Sequence, residues 1–214
     1  MTKLTNASIL LISLIQAGCS VVGIRSEENP KYDLVLVRDN KEIRSYSSLI
    51  LARTKVKGEF KEAQNKAFRI LAGYIFGANE KKENISSTTP VTRIETSESE
   101  KIAMTAPVFQ HPSDDGWTMS FMMPSKYTLN DLPKPKDNRI FFEEMAPKIF
   151  GVIRFSGRWK KTTNEEMAKI LKDWIKENEK YEMASEPIFA AYDPPWTIPF
   201  LRRNEILIEL KAKK

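Results

Sequence analysis

Histidine and cysteine are almost absent from this chain: its 214 residues include one of each, His111 and Cys19. A single cysteine excludes an intramolecular disulfide. One histidine and one cysteine make no metal cluster and leave no thiol–imidazole pair for nucleophilic catalysis. Glycine is scarce as well, with eight residues, and no stretch spells a phosphate-cradling loop or a dinucleotide fingerprint. The acidic neighbours Asp114-Asp115 and Glu143-Glu144 do not form a shared acid–base site, because adjacent side chains of an extended segment point to opposite faces. Ser113, Asp114 and the lone histidine fall in a segment that reads as a loop, and adjacency in sequence is not triad geometry. The inventory excludes most catalytic classes, and the chain reads as a non-enzyme.

Long apolar runs are also missing. Ala7 to Ile15 is the apolar stretch of the N-terminus, too short to span a bilayer as a helix. With Lys3 before it and Gln16-Ala17-Gly18-Cys19 after it, it reads as an export signal with a lipobox-like end. Gln16 stands where an aliphatic residue is usual. Residues 1–18 are therefore expected to be removed and Cys19 to be acylated, several acyl chains anchoring the protein firmly where one would not. Residues 19–31 become a tether and 32–214 the folded domain. The expected location is the periplasm-facing side of a membrane, the outer one where there are two, since Ser20 follows the cysteine.

The net charge is +6 and the sequence pI about 9.2. Basic residues are dispersed apart from Lys160-Lys161 and Lys211 to Lys214, so the charge reads as solvated surface, with no nucleic-acid partner expected. A composition of 41% hydrophobic and 29% charged residues suits one sizeable core.

An internal repeat organises the rest. At an offset of 99, Ile43 falls on Phe142, Tyr46 on Met145, Leu51 on Phe150, Lys55 on Arg154, Val56 on Phe155 and Gly58 on Gly157. Both copies predict a turn and then a strand, Leu49 to Lys57 and Lys148 to Ser156, ending at glycine before an aromatic residue, Phe60 or Trp159. An amphipathic helix follows each: Glu59 to Phe76, leaving at Gly77, and a second capped by Thr162 or Thr163 and running to Asn178. Two pseudo-symmetric β-β-α-β halves are expected. Gly73, inside the first helix, costs roughly 1 kcal/mol relative to alanine; close packing on a strand and room for a flat ligand are the two explanations. Further strands are expected at Trp117 to Met123, Arg139 to Glu144 and Ile206 to Leu210, and a shorter repeat pairs Ile85–Val91 with Ile102–Val108.

The most constrained segment is Tyr192-Asp193-Pro194-Pro195-Trp196-Thr197-Ile198-Pro199-Phe200-Leu201-Arg202-Arg203-Asn204-Glu205. Its three prolines fix φ and remove N–H donors, which makes a stiff loop presenting Trp196, Phe200 and two arginines. Together with Lys101-Ile102-Ala103-Met104-Thr105-Ala106-Pro107-Val108 and the Phe155-Ser156-Gly157 turn, this segment resembles the SOUL/heme-binding protein family, from about Tyr32 to Leu210. The resemblance implies an α+β fold, a distorted antiparallel β-barrel flanked by two helices, with noncatalytic binding of heme or a related tetrapyrrole. The implied cleft lies between the first helix, through Leu71, Tyr74 and Ile75, and the loop carrying Trp196 and Phe200. Arg202 and Arg203 face the propionates, whose carboxylates suit a guanidinium fork. His111 is a weak axial candidate and reads mainly as a surface-loop residue; Met104 reads as a core strand residue before a thioether ligand. An interaction scaffold, or a binder of another small hydrophobic molecule, is the alternative.

Overall fold

A computed structural model of the chain describes residues 26–81 and 98–213. The export signal, Cys19 and the Ile85–Val91 copy of the shorter repeat lie outside the described residues.

The chain is α+β: the described residues form antiparallel strands and two 16-residue helices. Its contacts divide it into two compact units, one of residues 26–46, 106–109 and 148–213, the other of residues 47–81, 98–105 and 110–147. In the first, strands β1 (Tyr32–Arg38), β2 (Lys41–Tyr46), β9 (Lys148–Phe155), β12 (Asn204–Ala212) and β11 (Ile188–Ala191) lie side by side in that order, and β10 (Tyr181–Met183) also pairs with β12. Helix α2 (Lys161–Lys176) packs on β9, β10 and β12. In the second, β5 (Val108–Ser113), β6 (Gly116–Met122), β3 (Leu49–Lys57) and β8 (Ile140–Met145) are neighbours in that order, with helix α1 (Phe60–Ile75) against β3 and β6. The first two residues of β5 count with the first unit. Two short strands, β4 (Asn79–Glu80) and β7 (Lys134–Pro135), pair with each other.

The repeat is real, but its copies are not the compact units. Each unit takes one strand from each copy: β2 pairs with β9, and β3 with β8. The two ladders map onto one another under the 99-residue offset. Tyr46 lies opposite Lys148, and their counterparts, Met145 and Leu49, lie opposite each other. Gly58 and Gly157 have φ of 119° and 115°, a conformation side chains resist. Both therefore turn the chain out of a strand toward its helix in the same way.

The helix ends depart from the sequence reading. Helix α2 begins at Lys161, with Lys160 in extended backbone and no side-chain cap, so Thr162 and Thr163 lie inside the first turn. The chain comes out of the Gly157 turn already extended at Lys160 and turns helical at Lys161, one residue before Thr162. Helix α1 closes as expected, with Gly77 at φ 113° and the Ala78 amide donating to the Gly73 carbonyl at 2.8 Å. A methyl group at Gly73 would meet Ala78 Cβ at 3.9 Å, an ordinary contact, so close packing on a strand does not dictate that glycine.

The core of the second unit buries Leu51, Ala52, Leu71, Tyr74, Ile75, Met119, Phe121 and Leu132, together with uncharged polar side chains such as Thr54, Asn79 and Gln110. Each fully buried large side chain contributes about 1.5–3 kcal/mol. The first unit buries Ile43, Val152, Ile153, Leu171, Ile175, Ile206 and Ile208, and adds charge: Arg44 and Glu205 are as buried as the isoleucines.

Candidate ligand-binding site

The base of the proline-rich loop is closed by the β11–β12 ladder, where Ala191 lies opposite Asn204. Beyond it, the Tyr192 amide donates to the Arg203 carbonyl at 3.2 Å and the Arg203 amide donates to Asp193 Oδ2 at 2.6 Å. Within the loop, the Thr197 amide donates to the Pro194 carbonyl at 3.1 Å and a 3-10 turn spans Pro199–Leu201. The prolines leave few donors, and the remaining amides are spent on turns, which holds the loop stiff. Its tip presents Trp196 and Phe200, 64% and 73% exposed.

The Gly157 turn is stitched to this loop. The Gly157 amide donates to the Pro199 carbonyl at 2.8 Å, and Asn204 Nδ2 donates to the Gly157 carbonyl at 3.1 Å. Between turn and loop lies an open depression of about 590 Å³ lined by Arg158, Trp159, Lys160, Pro195, Trp196, Thr197, Ile198, Pro199 and Arg202, within the range of about 300–1,000 Å³ usual for small-molecule sites. The apolar walls are indole, proline and isoleucine; the charges are three cations, with no carboxylate in the lining. The Trp159 ring stands edge-on to Phe189, with centroids 6.4 Å apart, and its Nε1 is buried without a hydrogen-bond partner.

Arg202 lines the depression while bracing it. Its Nε donates to the Thr197 carbonyl at 2.8 Å and its Nη2 to the Pro195 carbonyl at 2.5 Å, which leaves Nη1 unbonded among the described residues. Arg203 belongs to a buried charge cluster. Its Nε donates to Glu205 Oε1 at 2.9 Å and its guanidinium lies 3.9 Å from the centroid of the Tyr192 ring. Arg44 meets the same carboxylate in bidentate fashion at 2.9 and 3.0 Å, and also reaches Tyr46 Oη at 2.9 Å and Glu42 Oε2 at 2.5 Å. Tyr192 Oη donates to Glu205 Oε2 at 2.8 Å. Burial works against the Glu205 charge, but the bonds from Arg44, Arg203 and Tyr192 outweigh it and hold the carboxyl below its usual range. Burial likewise opposes the Arg44 charge, and Glu205 more than offsets it. The Tyr192 hydroxyl is pushed well up, by burial first and by the neighbouring Glu205 charge second.

The helix residues of the sequence reading lie elsewhere. Leu71, Tyr74 and Ile75 are buried in the core of the second unit, and Tyr74 Oη donates to the Pro133 carbonyl at 2.9 Å. His111 is on strand β5 of that unit, not in a surface loop. Desolvation, and then the nearby Arg53 charge, keep its imidazole pKa below the ordinary value, against the pull of Glu143. Met104 is exposed and outside any strand, not in the core. No group of three or more His, Cys, Asp or Glu side chains is placed to hold a metal ion among the described residues.

Sequence reasoning missed Arg158, Trp159 and Lys160 as lining residues. In the sequence Trp159 stands out as the aromatic after the Gly157 turn and Lys160 as half of a basic pair, but the first signals repeat architecture and the second solvated charge. Arg44, the main partner of Glu205, gave no local signal: it lies 161 positions away in the chain.

The sequence profile described as SOUL heme-binding protein matches residues 27–100 and 94–209. The chain belongs to the SOUL heme-binding protein family. Similar proteins include heme-binding protein 2 of Mus musculus, 29% identical over 168 residues that cover 77% of this chain and 75% of that protein. Heme-binding protein 1 of Xenopus tropicalis is 28% identical, covering 77% of this chain and 80% of its own length. Among solved structures, the EcmrR C-terminal domain superposes with a TM-score of 0.54 at 13% identity, over 85% of this chain and 99% of that domain, a likeness of fold alone. The SOUL profile begins at residue 27, and the structure agrees that order starts before Tyr32: the Glu28 carbonyl accepts from the Ala106 amide at 3.0 Å, and Pro30 is buried. The last residues of the expected tether are thus attached to the fold.

Proposed function

We propose that this protein binds heme or a related tetrapyrrole, without catalysing a reaction on it, in the depression between the Gly157 turn and the proline-rich loop. The observation that carries this reading is the lining itself: Trp159, Trp196, Ile198, two prolines and a threonine as walls, with Arg158, Lys160 and Arg202 as the charges. A flat apolar ligand with two carboxylates needs surfaces to stack on and cations at its edge. Family membership and the heme-binding relatives from mouse and frog support the same ligand. The residues fit the macrocycle and its propionates. They supply no axial ligand among the lining residues, so binding rests on stacking and charge. On this reading Leu71, Tyr74 and Ile75 serve the packing of their own unit, and Arg203 holds the loop base through Glu205 while Arg202 meets the ligand.

We further propose that the protein is exported, acylated at Cys19 and held on the periplasm-facing side of a membrane, in the outer membrane where two are present, and that nucleic acid is not a partner. Ala17-Gly18-Cys19 after a short apolar run supports this. Mass spectrometry of the protein from the membrane fraction tests it; an N-terminus at Cys19 carrying acyl groups is expected, and an unprocessed Met1 contradicts it.

A hemin titration followed at the Soret band tests the ligand. Saturable one-to-one binding is expected, weakened about tenfold or more in Arg158→Ala and Trp196→Ala, since charge-assisted bonds contribute about 1.5–3 kcal/mol and 1.4 kcal/mol is tenfold. Linear uptake that the variants do not change overturns the reading.

A further inference from the structure

Strand β1 is an exposed apolar edge of the sheet. Among the described residues it pairs with β2 alone, so this edge strand's outward-facing N–H and C=O groups have no described strand beside them. It also exposes four consecutive large apolar side chains, Leu34, Val35, Leu36 and Val37, at 57%, 48%, 42% and 55%. Strand β8 of the other unit, which pairs with β3 alone, follows the usual protection. It carries Glu143 and Glu144, and Glu143 is paired with Arg53 at 2.6 Å. Charged residues of this kind keep edges apart. Between Asp33 and Arg38, β1 has none.

A bulge decides what this edge can pair with. Leu34 lies opposite Arg44 and Leu36 opposite Ile43, so Val35 is an extra residue against β2. The extra residue resets the alternation of faces. Asp33 and Arg38 lie opposite Ser45 and Lys41, which share one face of β2; Leu34 and Val37 lie opposite Arg44 and Glu42, which share the other. If two β1 strands run antiparallel about a two-fold axis between Val35 and Leu36, Asp33 of each copy falls opposite Arg38 of the other, and Leu34 opposite Val37. Both matches are on like faces, as an antiparallel ladder requires. An unbulged strand could not satisfy this register, since residues five apart would point to opposite faces.

We infer that β1 is a self-pairing edge through which two copies of this chain form a two-fold dimer. The strand is self-complementary in charge as well as in apolar side chains: the two-fold closes the contact after one partner and places two Asp33–Arg38 pairs at its ends. This interface is independent of the heme reading, which rests on residues 158–160 and 195–202.

Sedimentation velocity of the full chain in mild detergent at micromolar concentration tests it. The wild-type protein is expected to be a dimer. Asp33→Arg sets like charges opposite each other at both ends, and so does Arg38→Asp; each is expected to shift the population to monomer. The double charge swap restores the pairing and should restore the dimer. Unchanged circular dichroism spectra establish that each variant is folded. A monomeric wild type overturns the inference, as does a dimer that both single variants leave intact. If the wild type is monomeric and Val35→Lys instead lowers cosedimentation with phosphatidylglycerol vesicles, the strand is a lipid-contacting edge and the dimer is wrong.

Discussion

The two compact units are built from copies of one strand–strand–helix pattern, yet they bury different chemistry. In the second unit the buried polar side chains among the described residues are uncharged, Thr54, Asn79 and Gln110 among them, and ion pairs such as Arg53–Glu143 and Arg139–Asp137 lie at the surface. The first unit buries a carboxylate bonded by two guanidiniums and one tyrosine hydroxyl. Position for position, Arg44 corresponds to Glu143 under the 99-residue offset: one is sealed in the interior and the other half exposed at the edge of a sheet. A repeat thus specifies backbone course, turn and helix placement, while the side chains at equivalent positions are free to diverge. The polar cluster fixes the base of the proline-rich loop, and the loop, with the Gly157 turn, makes the depression.

The sharpest way to break this contrast is to remove the buried charge. Glu205→Ala leaves Arg44 and Arg203 without their shared partner, and removing one member of a buried pair costs about 3–5 kcal/mol. Glu143→Ala, against a partner at the surface, is expected to cost about 1 kcal/mol or less. Urea unfolding of the two variants measures both. Equal losses would erase the distinction between the units.

Acidification acts on both units with the same sign through different groups. In the folded chain Glu205 has a depressed pKa, so its contribution is full above the ordinary carboxylate value and is lost as pH falls through the folded value. The imidazole of His111 also has a lowered pKa, so the unfolded chain takes up that proton first and stability already declines as pH drops below about 6.5. Thermal unfolding from pH 7 to 4 is expected to show decreasing melting temperature. His111→Gln removes the earlier part of the decline. A profile that is flat, or that the variant leaves unchanged, contradicts this assignment.

The smallest expected effect concerns helix α1. Gly73 has room for a methyl group, so Gly73→Ala should raise stability by about 1 kcal/mol in the same urea assay. A loss instead would mean that the helix needs its glycine for another reason.

Much of this fold was legible because it is written locally. Leu49 to Lys57 is the observed strand β3 end to end, and Gly77 leaves its helix with the expected positive φ, which Gly58 and Gly157 share where their strands end. The final strand is longer than its apolar run, since polar Asn204 and Glu205 at its start are held by Gly157 and Arg44. The site was half legible. Proline density marked the loop, but which arginine stays available is decided by tertiary partners: Arg202 to loop carbonyls, Arg203 to Glu205. The stripe Leu71, Tyr74 and Ile75 has the spacing of any amphipathic face, and sequence cannot tell a ligand wall from a core wall. In the structure all three are buried in the core of the second unit.

The central claim is that the ligand is held by the turn and loop of the first unit. It is tested most directly by comparing hemin affinities of the wild type, the Arg158→Ala/Arg202→Ala double variant and His111→Ala under one set of conditions. The account predicts that the double variant loses affinity by at least tenfold while His111→Ala binds like the wild type. A large loss in His111→Ala, with the double variant unaffected, would place the site in the second unit and contradict it.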